Sequence, residues 1–367
     1  MAAVPAGRGD GVGRVAPHGE SAASPYSGQA MMVRRVAILG DGQMGLVMAD
    51  LLAFPSAELT RDVAVWCPMG GSAGLEKSRS SSRLPDFRLP EAIAVTADAA
   101  EALAGADLVV NAIPTQFIRS TMERIRSALP RDAGLLNVAK GLETASRLRP
   151  SEILRASVGE RRIATLSGPS IAAELARRLP AVFVVASGDA GFAEQCREAC
   201  SSPWTRVYSS DDLTGVELAG AVKNVIAIAA GMIDGLGLGN NAKSALLARG
   251  LAEISRLGVA LGAKAETFYG VAGVGDLATT CFSPEGRNRS FGELVGGGRT
   301  PEEALAVMSS VVEGVATAAA VVDWAHRTGV DMPISAAVGR ILAGEILPRE
   351  AVGGLMGRQG RHERVVT

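Results

Sequence analysis

The sequence predicts an α/β protein in two parts: a doubly wound parallel sheet from residue 33 to about 210, then an all-helical part over 211–360. Three observations predict it. Short apolar runs alternate with helix-patterned segments through the first part, one of those runs opens directly into a glycine-rich turn, and from Asp211 long Ala-, Leu- and Val-rich stretches take over with helical spacing. Strands alternating with helices imply parallel pairing, and a purely helical tail implies a separate packing unit.

In order along the chain, residues 1–32 are rich in Gly, Ala, Ser and Pro without any period, and they read as a disordered extension with Met31 or Met32 as the functional start. They lack the continuous apolar segment of a secretory signal. Val36–Leu39, Val63–Trp66, Leu108–Ile113 and Gly134–Val138 are short apolar runs suited to strands buried on both faces. Gln116–Leu129 reads as a helix that starts after Pro114-Thr115 and stops at Pro130. Two further β-type runs, Ile163–Leu166 and Ala181–Ala186, flank an amphipathic segment, Ile171–Arg178. Helical spacing then covers 213–233, 242–261, 302–327 and 334–343. The most apolar stretch, Leu218–Ile233, is shorter than the roughly 20 residues a bilayer needs and contains Lys223 and Asn224, so a soluble, cytoplasmic protein without membrane insertion is expected.

Composition narrows the function. With 37 Lys+Arg against 38 Asp+Glu there is no charge excess to attract nucleic acid. Four cysteines make no disulfide framework, and Cys196 and Cys200, at i and i+4 of a helix, are expected as buried thiols rather than metal ligands. Only three histidines occur, His18, His326 and His362, which argues against a histidine metal site or a Ser-His-Asp triad. Proton chemistry, if present, falls to another residue type. The 44 glycines exceed the roughly 26 that average usage gives, and without a collagen period they point to tight turns and close backbone approaches.

Arg35–Leu39 runs straight into Gly40-Asp41-Gly42-Gln43-Met44-Gly45 and on into Leu46–Leu52, which is strand, GxGxxG, helix. Gly40 makes the tight turn, Gly42 admits a pyrophosphate to the backbone, Gly45 lets helix and strand pack closely, and the helix N-terminus supplies amide donors. This predicts a Rossmann-type dinucleotide site at Gly40, Gly42, Gln43, Met44 and Gly45. The next strand ends Val65-Trp66-Cys67-Pro68-Met69 with no Asp or Glu at its tip, so nothing there reads a ribose hydroxyl or repels a 2′-phosphate. Arg79 and Arg83 downstream are loop arginines, either solvated or able to meet such a phosphate.

Lys223 and Asn224 sit inside an otherwise small, apolar helix. Burying an ammonium is costly unless it is paired or its pKa falls. Lys223 is therefore either half of a structural ion pair or a proton donor at the floor of a cleft. Gly273-Val274-Gly275-Asp276 offers a carboxylate partner, Gly286-Arg287-Asn288-Arg289 reads as an anion-binding loop, and Ser167-Gly168-Pro169-Ser170 and Lys140-Gly141 end strands on the usual ligand side.

Ala139-Lys140-Gly141-Leu142-Glu143, Leu166–Ser170, Gly220–Asn224 with the following Val-Ile-Ala-Ile, Gly273–Leu277, Arg287-Asn288-Arg289 and Val311-Val312-Glu313-Gly314 together resemble the bacterial-type NAD(P)-dependent glycerol-3-phosphate dehydrogenases over residues 33–358. The resemblance implies NAD or NADP as cofactor and dihydroxyacetone phosphate or sn-glycerol 3-phosphate as the small phosphorylated substrate, with a product that feeds phospholipid synthesis. By it, Lys223 is the residue that gives and takes the proton, held by Asp276 and Asn224, and Lys140 touches both cofactor and substrate. Gly168, Ser170, Asp276, Thr280, Gly286, Arg287 and Asn288 fall at substrate positions, with Arg287 and Asn288 on the phosphate. Pro68, Ala172, Arg287, Val311 and Glu313 fall at cofactor positions. The chain departs from the pattern at Met44, Leu46-Val47, Asp41, Pro68 and Gly286, the last replacing a common Ser. A different two-domain hydroxy-acid or hydroxyacyl dehydrogenase and a non-catalytic dinucleotide-binding regulator are the alternatives. The sequence leaves monomer and homodimer open.

Overall fold

The computed structural model describes residues 32–55, 59–69, 72–308, 311–360 and 362. The expectation for the N-terminal extension therefore falls, Met32 aside, outside the described residues.

Among the described residues ten strands are formed: β1 (Arg35–Leu39), β2 (Asp62–Trp66), β3 (Ser80–Ser81), β4 (Leu84–Arg88), β5 (Ala94–Thr96), β6 (Leu108–Asn111), β7 (Gly134–Asn137), β8 (Ile163–Ser167), β9 (Ala181–Ser187) and β10 (Thr205–Ser210). Eight of them make one sheet in the order β10-β9-β8-β7-β6-β1-β2-β5, and β3 and β4 form a separate antiparallel hairpin. The strand order reverses direction across β1 and β6, the place where an open α/β sheet leaves a crevice for a ligand. The sheet is not parallel throughout, as the alternating pattern implied: β9 pairs antiparallel with β8, and β10 follows β9. Between β8 and β9 there is only a five-residue helix, Ala172–Ala176, so no full-length crossover helix carries the chain back, and it returns alongside β8 instead.

The helices used below are α1 (Gln43–Ala53), α2 (Leu213–Gly235), α3 (Gly239–Ala260), α4 (Asp276–Phe282), α5 (Arg287–Gly296), α6 (Glu313–Thr328), α7 (Pro333–Leu342) and α8 (Pro348–Met356). The sheet ends at Ser210 and α2 begins three residues on, capped by Asp212, whose carboxylate accepts from Gly215 N at 2.8 Å. Apolar side chains fill both faces of the sheet, and a third core surrounds α2. All four cysteines are buried, and burial pushes the Cys200 thiol up to about 12.

The helix around Lys223 follows the spacing read over 213–233: α2 has 23 residues and is apolar and long enough to cross a bilayer, yet its apolar window is wholly buried inside the protein. A helix apolar all round is what a central core position demands. Glycines let α5 reach it. A Cβ on Gly231 would stand 1.9 Å from Arg289 O, one on Gly292 2.0 Å from Ile228 O, and one on Gly296 2.4 Å from Met232 O. The two helices thus pack backbone against backbone, which accounts for part of the glycine excess. The continuous helix expected over 302–327 is two helices, Pro301–Ala306 and α6. The β-branched Val311-Val312 disfavours helix, and Gly314 must slot where a Cβ would lie 2.8 Å from both Asn224 O and Asn288 Oδ1, so α6 starts afresh at that seat.

Gly231→Ala should force α5 off α2 and cost about 1–3 kcal/mol or more, as overpacking does. Gly353→Ala, in α8 with nothing within 4 Å of its Cβ, should instead stabilise by about 0.5–1 kcal/mol. Urea unfolding of both variants checks the opposite signs; equal effects would refute the packing argument.

Candidate active site

The glycine turn is built as its spacing requires. Gly40 has φ +108°, a conformation open to glycine, and a Cβ on Gly45 would lie 2.0 Å from Gly40 O, so the turn closes on itself. Gly42 has nothing within 4 Å of its Cβ direction and faces open space. α1 starts with no side-chain cap and no acidic residue in its first turn, which leaves its leading amides for an anion. These features fit a dinucleotide pyrophosphate. Met44 packs against the sheet core. Gln43 turns away from the helix end, donating to Arg83 O at 2.5 Å, and so ties the β3–β4 hairpin over the turn. The Asp41 carboxylate lies 3.9 Å from the Arg83 guanidinium, so a positive charge stands beside it.

Arg79 is neither solvated nor free to meet a phosphate. It is buried, and its guanidinium donates to Ile93 O at 2.7 Å, Leu89 O at 3.3 Å and Pro90 O, fixing the loop after the hairpin. Arg83 is 62% exposed at the mouth of the turn. Pro68 stands just past the tip of β2, as expected, and offers no charge.

The second cluster gathers on a single carboxylate. Asp276, 1% exposed, opens α4 directly after a π-helical turn, Val271–Gly275. Its Oδ1 accepts from Lys223 Nζ at 2.5 Å and its Oδ2 from Lys140 Nζ at 2.6 Å. Lys140 comes from the end of β7 and also donates to Gly168 O at 3.1 Å and Ser170 Oγ at 3.2 Å. Gly168, at φ +137°, leaves no room for a Cβ, which would lie 2.8 Å from Val182 O. Lys223 points from the middle of α2 and also donates to Thr280 Oγ1 at 2.7 Å. Its pKa is lowered to about 8, chiefly by burial and in part by the Lys140 ammonium, against the pull of the Asp276 carboxylate. Contrary to the expectation for Asn224, no hydrogen bond joins it to Lys223 among the described residues, and Thr280 stands with Asp276 as the acceptor.

Arg287-Asn288 opens α5 rather than lying in a loop, with Gly286 as an N-cap that provides no side-chain oxygen. Arg287 is exposed and donates to Val311 O at 3.2 Å, so these two positions meet. Asn288 is buried, its Oδ1 accepting from Gly314 N at 2.9 Å. Arg289 is spent on structure, bonded to Asp234 at 2.7 Å and Ser283 O at 2.8 Å. Glu313 begins α6 near Gly141; burial pushes its carboxyl above the usual range, against the pull of Arg287, Lys140 and Lys223. Ala172 packs on the sheet core at the start of its short helix. Among the described residues no hydrogen bond joins the glycine turn to the lysine cluster. In the Ser167-Gly168-Pro169-Ser170 turn that the sequence singles out, Ser167 itself carries no expected role, yet its Oγ is buried without a partner.

Taken together, a pyrophosphate-shaped turn on the sheet and a lysine with a pKa near neutrality on the helices define a dinucleotide-dependent oxidoreductase. The comparisons narrow that class. Residues 35–193 match the family model for the N-terminus of NAD-dependent glycerol-3-phosphate dehydrogenase, and residues 212–353 match the one for its C-terminus. The chain is 43% identical over 337 residues to the glycerol-3-phosphate dehydrogenase [NAD(P)+] of Streptomyces coelicolor, covering 90% of this chain and 98% of that one. It is 44% identical over 339 residues to the Nocardia farcinica enzyme of the same name, covering 90% and 99%. The structure of glycerol-3-phosphate dehydrogenase from Coxiella burnetii superposes with a TM-score of 0.83 at 34% identity, covering 89% of this chain and 99% of the other. The chain belongs to the NAD(P)-dependent glycerol-3-phosphate dehydrogenase family.

With no charge at Pro68, kcat/KM for NADH and NADPH should agree within about tenfold, roughly 1.4 kcal/mol. Arg79→Ala should lower stability by about 2–3 kcal/mol, because it strands buried carbonyls, and leave the cofactor ratio unchanged. Arg83→Ala should shift that ratio toward NADH. Unfolding curves and paired cofactor kinetics test all three; a ratio that moves with Arg79 alone would reverse the assignment.

Proposed function

We infer that this protein catalyses the reversible reduction of dihydroxyacetone phosphate to sn-glycerol 3-phosphate with NADH or NADPH, the product serving phospholipid synthesis. The observation that carries this reading is the Asp276 carboxylate shared by two lysines, one from each half of the chain. The cofactor, when bound, supplies or accepts the hydride at C2; its pyrophosphate would rest on Gly40–Gly45, with Lys140, Ala172, Val311 and Glu313 toward the reacting end.

The chain's own residues do the rest. Lys223 donates a proton to the C2 oxygen as negative charge develops there, becoming a neutral amine, and takes a proton back in the reverse direction. Burial lowers the cost of the neutral form, and Asp276 and Thr280 hold the nitrogen in place. Lys140, beside Gly168 and Ser170, faces the same substrate. Arg287 and Asn288, at the uncapped N-terminus of α5, take the phosphate, Arg287 pairing with it through the guanidinium nitrogens not engaged with Val311 O. Three cations against Asp276 and a Glu313 whose carboxyl is pushed above the usual range leave a site that favours an anion. Phosphate held at a distance from C2 positions the carbonyl, so its binding energy acts on the rate.

Lys223→Met should cut kcat by about a thousandfold or more while cofactor affinity stays within twofold; activity within threefold of wild type would sink the assignment. The lowered lysine pKa sets the pH profile: reduction needs the ammonium and should fall as pH rises through about 8, whereas oxidation needs the amine and should rise through the same value. Arg287→Ala should raise KM for dihydroxyacetone phosphate and erode its advantage over unphosphorylated dihydroxyacetone by about 1.5–3 kcal/mol. Unchanged discrimination between those two substrates would remove Arg287 from the phosphate.

A further inference from the structure

Six residues before Lys223, on the same helix, stands a glutamate that the chemistry above does not use. The Glu217 side chain is 1% exposed and all four of its hydrogen bonds run to the sheet half. Its Oε1 accepts from Ser151 N at 2.8 Å and Thr165 Oγ1 at 3.0 Å. Its Oε2 accepts from Ser151 Oγ at 2.6 Å and Arg149 Nη1 at 3.0 Å. Burial raises its pKa, and Arg149 and the other donors oppose that rise. Among the described residues it is the one side chain of α2 that hydrogen-bonds the sheet half directly.

The bonds do not stop there. Thr165 on β8 also meets Asn137 Nδ2 at 3.4 Å, and Asn137 Oδ1 on β7 accepts from Asn111 Nδ2 on β6 at 2.9 Å. These residues stand side by side in the strand register, Asn111 opposite Asn137 and Asn137 opposite Thr165. Asn137 closes the row onto the active site: it donates to Ala139 O at 2.9 Å and accepts from Ala139 N at 3.1 Å, fixing the residue before Lys140. One buried polar row therefore seats the strand end that carries Lys140 and the helix that carries Lys223.

We propose that Glu217 is a positioning residue for proton transfer, registering α2 on the sheet edge so that Lys223 and Lys140 reach opposite oxygens of Asp276. The proposal rests on Lys223 as the proton donor. A glutamine cannot replace Glu217. With its NH2 in the Oε2 place it faces the Arg149 guanidinium, and in the Oε1 place it faces the Ser151 amide. Either flip sets donor against donor.

The test is Glu217→Gln, with Thr165→Val and Thr165→Ser as a milder pair, in steady-state kinetics with dihydroxyacetone phosphate and NADH. Glu217→Gln should keep the dissociation constant for NADH within about twofold, lower kcat about tenfold or more, and displace the limb near pH 8 by about half a unit or more. Thr165→Val should lower kcat in the same sense, and Thr165→Ser, which retains the hydroxyl, should recover it. A folded Glu217→Gln enzyme with kcat within twofold of wild type and an unmoved pH limb overturns the proposal, as does a loss confined to cofactor binding. If that variant does not fold, wild-type kcat in Thr165→Val overturns it. Failure of the underlying reading is separate: it shows as activity in Lys223→Met, and takes this proposal with it.

Discussion

A single buried carboxylate holds the working parts together. Asp276 receives Lys223 from the helical half on one oxygen and Lys140 from the sheet half on the other. Two ammoniums and a carboxylate withdrawn from water cost several kcal/mol each in desolvation, which their attraction offsets only in good geometry with the remaining donors satisfied. Lys140 meets that condition through Gly168 O and Ser170 Oγ, and Lys223 through Thr280 Oγ1. The cluster is stable only when both halves of the chain contribute, so the site exists as a property of their contact and not of either part.

That requirement explains much of the surrounding construction. A lysine in the centre of a helix must be reached by a partner, so α4 is brought in through the π-helical turn of Val271–Gly275, which re-aims Asp276 at its N-terminus. α5 must lie against α2 closely enough that Arg287 and Asn288 end near the same cleft, and glycines on both helices permit that approach. Part of the glycine count in the composition is thus a record of where backbone has to touch backbone.

The sheet, the glycine turn and the helical tail were legible because each depends on local periodicity and spacing. The β1-turn-α1 unit needs only residues 35–53, and the structure closes it as the spacing demands. What escaped depends on contacts distant in sequence. The antiparallel return of β9 follows from a connection too poor in helix to cross the sheet, which no run of apolar residues announces. The break between Pro301–Ala306 and α6 is imposed by the seat of Gly314 against Asn224 and Asn288. Arg79 looked like a surface residue because its acceptors are backbone carbonyls of Leu89, Pro90 and Ile93, invisible in a side-chain pattern. The resemblance implies Asn224 as a holder of Lys223, but adjacent helix positions point about 100° apart, and besides Asp276 the residue that accepts from Lys223 is Thr280, one turn beyond Asp276 on α4.

The choice of lysine follows from the same physics. A histidine with an ordinary pKa near 6.5 can serve as a donor but is mostly unprotonated at neutral pH. An exposed lysine near 10.4 is protonated but releases its proton reluctantly. With burial in α2 as the largest cause, the pKa of Lys223 falls to about 8, so in the proposed role it would enter the neutral-pH reaction charged and still close to the point of letting go. Asp276 limits how far burial can depress it, and Lys140 limits how strongly Asp276 can hold it. The three charges therefore set one another, and the site's usefulness near neutrality comes from that balance rather than from any residue alone.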